Sequence, residues 1–145
     1  MLFRSRGKMR IAIVGSRSFN DWEYMKQIMT WVTVPYPVWD IDAIISGGAK
    51  GADTLAERVA HELGLRLIVH RAEWDKYGKS AGYRRNKLIV DDANLILAFW
   101  DGESKGTAHT IKLAEEAGKT VHVFTDWNKN GKVSKFSNPT ETNNF

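Results

Sequence analysis

Five short apolar runs alternate along the chain with segments of helical periodicity. The runs are MRIAIVG (9–15), DAIIS (42–46), LRLIVH (65–70), ANLILAFW (93–100) and TVHVF (120–124). They are apolar throughout rather than alternately apolar and polar, which is typical of strands in a parallel sheet whose two faces are both covered. The segments between them repeat apolar residues at intervals of three and four, as amphipathic helices do.

This alternation predicts a single Rossmann-like, three-layer α/β/α domain over residues 9–125, with five parallel strands and right-handed crossovers. The length of 145 residues suits one domain. We expect the strand order 3-2-1-4-5, which puts the topological switch point between strands 1 and 4. Ligands of such sheets bind at the carboxyl ends of the strands, beside that point.

The flanking and connecting segments are predicted as follows. Residues 1–8 form an N-terminal extension, because Met9 directly precedes the first strand. Residues 126–145 form a polar tail, in which KNGK (129–132) could make a tight hairpin turn. Residues 71–82 show no apolar period and are predicted to be a long polar loop.

Helix boundaries can also be predicted from single residues. Asn20 or Asp21 could cap the first helix, because a short polar side chain there can accept hydrogen bonds from free backbone amides. Gly64 is predicted to end the second helix as a C-cap. The stretch YRRNKLIVDD (83–92) suits a short helix.

Composition excludes several classes of protein and site. The chain has no cysteine, so disulfides and thiolate metal sites are impossible. The four histidines show no spacing typical of metal ligands, and no metal is predicted. No apolar run approaches the roughly 20 residues of a membrane span, and the start MLFRSRGKMR lacks the apolar core of a secretory signal. We expect a cytoplasmic protein with no membrane partner. The net charge of +4 is compatible with phosphate-bearing partners without establishing them.

Three predicted strand ends carry glycine-containing or basic turns. These are GSRSF (15–19), SGGAKGAD (46–53) and WDGESKGT (100–107). Strands 1, 2 and 4 are neighbours in the expected order, so the three turns should open at one edge of the sheet. Glycine lets backbone approach a ligand closely, and a helix start offers unpaired N–H groups, which together suit a phosphate. Glycines also simply permit a tight turn, but their recurrence at one edge favours a ligand site.

Several side chains near these turns have suitable chemistry. Arg17 has the fork geometry for bidentate phosphate pairing, and Lys50 could add a point charge. Asp53 could complement the helix dipole, brace the turn or bond a ribose hydroxyl. Aromatic rings that could stack a base are Trp74, Tyr77, Tyr83 and Trp100. The residues predicted to bind the ligand are Gly15, Ser16, Arg17, Ser46, Gly47, Gly48, Lys50, Gly51, Asp53, Arg84, Arg85, Asn86, Trp100, Gly102, Ser104, Lys105, Gly106 and Thr107.

Four of these motifs together resemble a known family. IAIVGSRSF (11–19), IISGGAKGAD (44–53), AGYRRN (81–86) and LILAFWDGESKGT (95–107) are similar, in this order, to the SLOG superfamily of Rossmann-like domains and its YspA/YpsA-related branch. The similarity covers about residues 9–124. It implies a bound nucleotide or nucleotide-derived molecule, such as NAD, ADP-ribose or a nucleoside phosphate, that is sensed, sequestered or processed. It also implies a homodimer or higher homo-oligomer, and such proteins are often met in bacterial and phage genomes.

Two better-known relatives suggest alternative functions. LOG phosphoribohydrolases split the N-glycosidic bond of nucleoside monophosphates with an arginine and a glutamate. Arg85 matches that arginine, but Thr110 occupies the glutamate position, so the resemblance argues against this hydrolysis. Asp101, at the end of strand 4, is the other candidate carboxylate, and catalytic roles for Arg85 and Asp101 stay open. DprA, whose core carries similar GSR and glycine turns, binds single-stranded DNA, which makes single-stranded nucleic acid the alternative partner.

Overall fold

Strands and helices alternate along residues 7–128, the part of the chain that this computed structural model describes. The strands are β1 (Met9–Gly15), β2 (Ile41–Ser46), β3 (Arg66–Val69), β4 (Leu95–Phe99) and β5 (Thr120–Phe124). The α-helices are α1 (Trp22–Val32), α2 (Ala52–Leu63), α3 (Trp74–Tyr77), α4 (Ala81–Asp92) and α5 (Lys105–Glu116). Short 3-10 turns occupy Val38–Asp40, Gly78–Ser80 and Asp126–Asn128.

The five strands form one sheet in the order β3-β2-β1-β4-β5, and all four neighbouring pairs are parallel. This confirms the predicted order and direction. The central strand β1 has β2 on one side and β4 on the other. The chain adds β2 and β3 on one side of β1 and then crosses to the other side to add β4 and β5, so the topological switch point lies between β1 and β4. The turns after these three strands therefore lie together at the carboxyl edge of the sheet.

Two hydrophobic clusters cover the two faces of the sheet. Ile11 and Ile13 of β1 point to one face and pack in a cluster with buried residues of α1 and α2. Ala12 and Val14 point to the other face and pack in a cluster with buried residues of α4 and α5. The alternation follows from the two-residue period of a strand. Each fully buried isoleucine stabilises the fold by about 1.5–3 kcal/mol, and the helices on both faces confirm the predicted three-layer arrangement.

Both predicted helix boundaries are present. The side chain of Asp21 accepts a 3.0 Å hydrogen bond from the amide of Tyr24 in the first turn of α1. Gly64 adopts a left-handed conformation with φ of 67° after α2, and its amide donates to the carbonyl of His61 at 3.2 Å. These two residues satisfy backbone groups that the helix ends would otherwise leave unpaired.

The prediction of a long polar loop over residues 71–82 is wrong, because this segment is largely helical. It contains α3, a 3-10 turn and the first residues of α4. A helix as short as α3 has too few residues to show an apolar period. Contacts with α4 hold the segment in place, since the guanidinium carbon of Arg84 lies 4.2 Å from the centre of the Tyr77 ring.

The packed core extends beyond the predicted boundary at residue 125. Trp127 is buried, and its ring packs edge-to-face on Phe19 with 4.8 Å between the ring centres. Its Nε1 atom donates a 2.8 Å hydrogen bond to the carbonyl of Phe124. The hairpin predicted at residues 129–132 and most of the predicted N-terminal extension lie outside the described residues.

Candidate functional site

A cavity of about 560 Å³ opens at the carboxyl edge of the sheet, beside the switch point between β1 and β4. Its walls come from the turns after β1 and β4 and from the first turns of α2, α4 and α5. A second cavity of about 440 Å³ adjoins it. Both cavities are lined by the same four residues, which form a common wall between them: Arg17, Ala49, Trp74 and Arg85.

The structure brings most of the predicted ligand-binding residues to these two cavities. Those that line the first cavity are Gly15, Arg17, Asp53, Arg85, Asn86, Ser104, Gly106 and Thr107, and the catalytic candidate Asp101 lines it as well. Those that line the second are Arg17, Gly47, Gly48, Lys50 and Arg85. Those that line neither cavity are Ser16, Ser46, Gly51, Arg84, Trp100, Gly102 and Lys105.

Arg85 connects α4 to the turn between β2 and α2. Its Nη1 atom donates to the carbonyl of Gly47 at 2.8 Å, and its Nε atom donates to the side-chain oxygen of Asn86 at 3.0 Å. A Cβ atom at Gly47 would lie 2.7 Å from Nη1 of Arg85 and 3.0 Å from Oδ2 of Asp53. The guanidinium can therefore occupy this place only because residue 47 has no side chain.

Asp53 braces the same turn from the start of α2. Its Oδ2 atom accepts a 3.0 Å hydrogen bond from the amide of Ala49, and the residue is only 7% exposed. Burial raises the pKa of the Asp53 carboxyl, and this is partly opposed by the amide of Ala49 and by the charge of Arg85. Of the roles predicted for Asp53, its contacts support the bracing of the turn.

Ser16 and Ser46 are buried and bind backbone rather than facing a cavity. The Ser16 hydroxyl accepts from the amide of Asp101 at 3.0 Å and lies 3.1 Å from the Ser104 hydroxyl. It thus ties the turn after β1 to the turn after β4. The Ser46 hydroxyl accepts from the amide of Gly48 at 3.1 Å, within its own turn. Both serines support the shape of the site.

Asp101 organises the turn that leads into α5. Its Oδ1 atom accepts hydrogen bonds from the amides of Glu103 and Ser104, each at 2.8 Å. These amides, Ser104 first, hold the pKa of the Asp101 carboxyl below its usual value. Trp100 braces the same turn, because its Nε1 atom donates to the carbonyl of Ser104 at 3.0 Å. Its indole is therefore engaged outside the two cavities.

Arg84 faces away from the common wall. Its Nε atom lies 3.2 Å from the Ser80 hydroxyl, and its guanidinium covers the ring of Tyr77. It lines a third cavity, together with Tyr77 and Tyr83. Arg85 and Tyr83 line both this cavity and the first, so the surface continues from one to the other across the start of α4.

Two basic residues of the site were missed by the sequence-based prediction. Arg71 lines the second cavity and Lys79 lines the first. Arg71 follows β3 by two residues, so the rule that ligands bind at strand ends could have identified it. Lys79 lies in the segment that was predicted as a loop and carried no signal. Trp74, one of the candidate stacking rings, is 56% exposed and forms part of the common wall.

Positive charge dominates the two cavities. The basic side chains that line them are Arg17, Lys50, Arg71, Lys79 and Arg85. Among the described residues, the carboxylates that line them are Asp53 and Asp101, and both accept hydrogen bonds from backbone amides. Burial lowers the pKa of Arg85, and the like charge of Arg17 lowers it further. The site is therefore suited to an anion.

Comparisons with known proteins agree with the motifs. The sequence model of YAcAr, the YspA, cpYpsA-related SLOG family, matches residues 9–77. Gene 61 protein of Mycobacterium phage D29 is 35% identical to this chain over 127 residues, covering 81% of this chain and 97% of that protein. The chain belongs to this SLOG family.

Two solved structures share the fold of this SLOG chain. DNA processing protein A (DprA) from Streptococcus pneumoniae matches with a TM-score of 0.61 and 21% identity, over 79% of this chain and 50% of DprA. DNA processing protein A from Helicobacter pylori, described for its single-stranded DNA binding mode, matches with a TM-score of 0.58 and 17% identity, over 79% and 64%. The SLOG chain thus spans between half and two thirds of these proteins, and the likeness establishes the fold.

Thr110, which the resemblance to LOG hydrolases matches to their glutamate, is buried in this SLOG chain. Thr110 is 2% exposed and lines the first cavity, where its hydroxyl donates to the carbonyl of Gly106 at 3.1 Å. Val14 and Ile89 also line this cavity and are almost fully buried. These three buried residues form an uncharged floor in the first cavity.

Two other types of feature can be judged from residues 7–128 of the SLOG chain. Within that range no helix is both long and apolar enough to cross a bilayer. In the same residues, His, Asp and Glu side chains do not gather in groups of three or more that could hold a metal ion.

Proposed function

We propose that this SLOG domain binds nucleotides through their phosphate groups at the two adjoining cavities. The observation that carries the proposal is the pairing of like charges in the common wall. Arg17 is close enough to lower the pKa of Arg85, and Asp53, the carboxylate that opposes this effect, is already bonded to the amide of Ala49. Two guanidiniums line one wall, and the carboxylate that acts on Arg85 is already engaged, so positive charge is left for a ligand to neutralise.

Phosphate fits the donors at this wall. A guanidinium presents N–H groups in a planar fork that pairs with two phosphate oxygens. Within the described residues, Arg17 forms no ion pair, and Arg85 uses Nη1 and Nε in hydrogen bonds, so Nη2 is available to a ligand. The first turn of α2 begins next to them and adds the partial positive charge of a helix N-terminus.

The remaining part of a nucleotide has suitable surfaces as well. Trp74 presents an exposed indole at the common wall, on which a base can stack. The uncharged floor formed by Val14, Ile89 and Thr110 suits a ribose or a base. The volume of about 560 Å³ falls within the range of about 300–1,000 Å³ that is usual for small-molecule sites. A free nucleotide or nucleotide derivative is thus one candidate ligand.

A nucleotide within a single strand of nucleic acid is the second candidate, and the comparisons favour it. The first cavity continues into the third across Tyr83 and Arg85, where Tyr77 and Arg84 form a stacked pair. Grooves that bind single strands interleave basic and aromatic side chains in this way. The fold is also that of DprA, and the structure of the Helicobacter pylori protein is described for single-stranded DNA binding.

Calorimetry with AMP, NAD and ADP-ribose, and fluorescence anisotropy with a short oligothymidylate, test the proposal. Arg17→Gln should weaken the binding of the preferred ligand by about 10- to 100-fold, the usual effect of losing a charge-assisted hydrogen bond. The matched control is Arg58→Gln on α2, where an exposed arginine stacks on Trp22 with 4.1 Å between its guanidinium carbon and the ring centre. Equal affinities of the two variants, or no binding of any of these ligands, would contradict the proposal.

Salt dependence separates the two candidate ligands. Binding to a single strand releases counterions, so its affinity should fall steeply between about 50 and 200 mM salt. A free nucleotide neutralises fewer charges and should lose much less affinity. Tight, salt-sensitive binding of the oligothymidylate with no binding of mononucleotides would select nucleic acid. The reverse pattern would select a free nucleotide.

A further inference from the structure

We infer that the preferred ligand contains two nucleosides joined through phosphate, and that the second nucleoside occupies the smaller cavity beside Arg71. This inference rests on the proposed function, because it assumes that the common wall binds phosphate. It goes further by naming the class of nucleotide and by assigning a role to a cavity that a single nucleotide leaves empty.

The two cavities are arranged as neighbouring compartments. Their volumes of about 560 and 440 Å³ each fall within the usual range of about 300–1,000 Å³ for a ligand site. Arg17, Trp74 and Arg85 line both cavities. A phosphate bound at this wall would therefore have free space on both sides, and a ligand that continues from it in both directions would fill both compartments.

The charges of the two compartments differ in a way that fits such a ligand. The first has a neutral floor and contains both carboxylates that line the site, Asp53 and Asp101. The second compartment is lined by the two arginines of the common wall and also by Lys50 and Arg71. Within the described residues, no carboxylate lines it. Positive charge is thus concentrated at the wall, where a linking phosphate would lie, and on the side of the wall that faces the second compartment.

Arg71 is held loosely enough to take part in binding. It is exposed, and its Nη1 atom makes a long hydrogen bond of 3.4 Å to the carbonyl of Gly48. Among residues 7–128, it forms no ion pair with a carboxylate. Gly48 has a φ of 74°, and a Cβ atom there would lie 2.7 Å from Nη1 of Arg71. The turn therefore leaves room for the guanidinium above it.

Two sources could supply this ligand chemistry. One is a free dinucleotide whose nucleosides are joined by a pyrophosphate between their 5′ positions. The other is a pair of adjacent nucleotides in a single strand, joined by a 3′–5′ phosphodiester. Both place negative charge between two nucleosides, and the experiment distinguishes them by the linkage of the ligand.

Calorimetry on the full chain tests the inference with AMP, NAD and the 3′–5′-linked dinucleotide pApA. At least one of the dinucleotides should bind at least about tenfold more tightly than AMP, because its second unit binds without a further loss of translational freedom. Arg71→Gln should remove most of this gain and change the affinity for AMP less than about twofold. Arg58→Gln, as the control, should leave both affinities unchanged. The dinucleotide that shows the gain identifies the linkage.

Three outcomes would overturn the inference. If AMP and both dinucleotides bind with equal affinity, the second compartment takes no nucleoside, although the proposed function survives. If Arg71→Gln weakens AMP and dinucleotide equally, Arg71 belongs to a single phosphate site, and again only the inference fails. If none of the three ligands binds and the oligothymidylate does not bind either, the proposed function fails together with the inference.

Discussion

Nη1 of Arg85 lies 2.8 Å from the carbonyl oxygen of Gly47 and donates a hydrogen bond to it. The two residues are 38 positions apart in the sequence, and their contact joins a helix on one face of the sheet to a turn at its edge. It places the guanidinium in the wall that both cavities share. Gly47 contributes both by accepting this hydrogen bond and by lacking a side chain.

Gly47→Ala should weaken nucleotide binding without unfolding the protein. The new Cβ would lie 2.7 Å from Nη1 of Arg85, and the end of a long side chain can move away. We expect a loss of affinity of about tenfold or more, since a displaced guanidinium loses its charge-assisted contact. Calorimetry and thermal unfolding would measure the two effects.

Gly106→Ala is the control for crowding of the same site. Gly106 lines the first cavity, but a Cβ atom there meets nothing within 4 Å. If both alanine variants weaken binding equally, the effect comes from filling the cavity, and the role assigned to the Arg85–Gly47 contact is wrong.

Ser16→Ala should destabilise the fold. The buried hydroxyl accepts from the amide of Asp101 and lies within hydrogen-bond distance of the Ser104 hydroxyl. Leaving such a buried partner unsatisfied costs about 1–3 kcal/mol. Urea denaturation would measure the loss, with Ser18→Ala at a nearby exposed serine as the control, for which we expect a change within about 0.5 kcal/mol. Equal stability of the two variants would show that the hydroxyl of Ser16 does not hold the turns together.

Stability should fall as the pH drops from about 6.5 to about 4, in part because of His122. Burial lowers the pKa of His122 from 6.5 to about 4 in the folded protein. Between these values the unfolded chain binds a proton that the folded protein excludes, so protonation favours unfolding. The contribution is present in full above pH 6.5 and is on the order of 2 kcal/mol.

His122→Phe isolates this contribution, because the ring packs edge-to-face on Trp31 with 5.5 Å between centres. Urea denaturation at a series of pH values should give a smaller slope for this variant between pH 6.5 and 4 than for the unmodified protein. His61→Gln, at an exposed histidine on α2, serves as the control. An unchanged slope in His122→Phe would assign the acid sensitivity to other groups.

Hydrolysis of the N-glycosidic bond in AMP should be absent or very slow. This reaction develops positive charge on the sugar, which a neighbouring carboxylate normally stabilises. Thr110 offers none, and Asp101 is committed to two backbone amides. We expect Thr110→Glu to increase the release of adenine, measured by chromatography. Base release by the unmodified protein that disappears in Asp101→Asn would identify Asp101 as the missing carboxylate, because asparagine keeps the acceptor oxygen that holds the turn.

The sequence was sufficient to predict which backbone elements meet. Strand order, a helix cap at Asn20 or Asp21 and the common edge of the three turns follow from local sequence patterns and from rules of chain topology. These need no knowledge of distant contacts. The short helix α3 did not follow from them. This helix depends on contacts with other elements, such as that of Tyr77 with Arg84. Its four residues are too few to show a helical period of apolar residues in the sequence.

The orientation of individual side chains was harder to predict than their location. Ser16 and Arg17 are adjacent in the turn after β1, but Ser16 is buried and Arg17 is exposed in the common wall. What separates them is a hydrogen bond that the Ser16 hydroxyl accepts from the amide of Asp101, 85 positions away. Arg84 and Arg85 differ for a similar reason. A helix turns by about 100° per residue, and the partner of each side chain lies on a different element.

The burial of Trp127 determines where the chain can be shortened for laboratory work. Its indole covers Phe19, which directly follows the turn that carries Arg17. A protein ended at residue 125 would keep all five strands and all five α-helices but would lose this contact and expose the Phe19 ring to water. Affinity tags and proteolytic cleavage sites therefore belong after residue 128, where they leave the support behind the arginine turn intact.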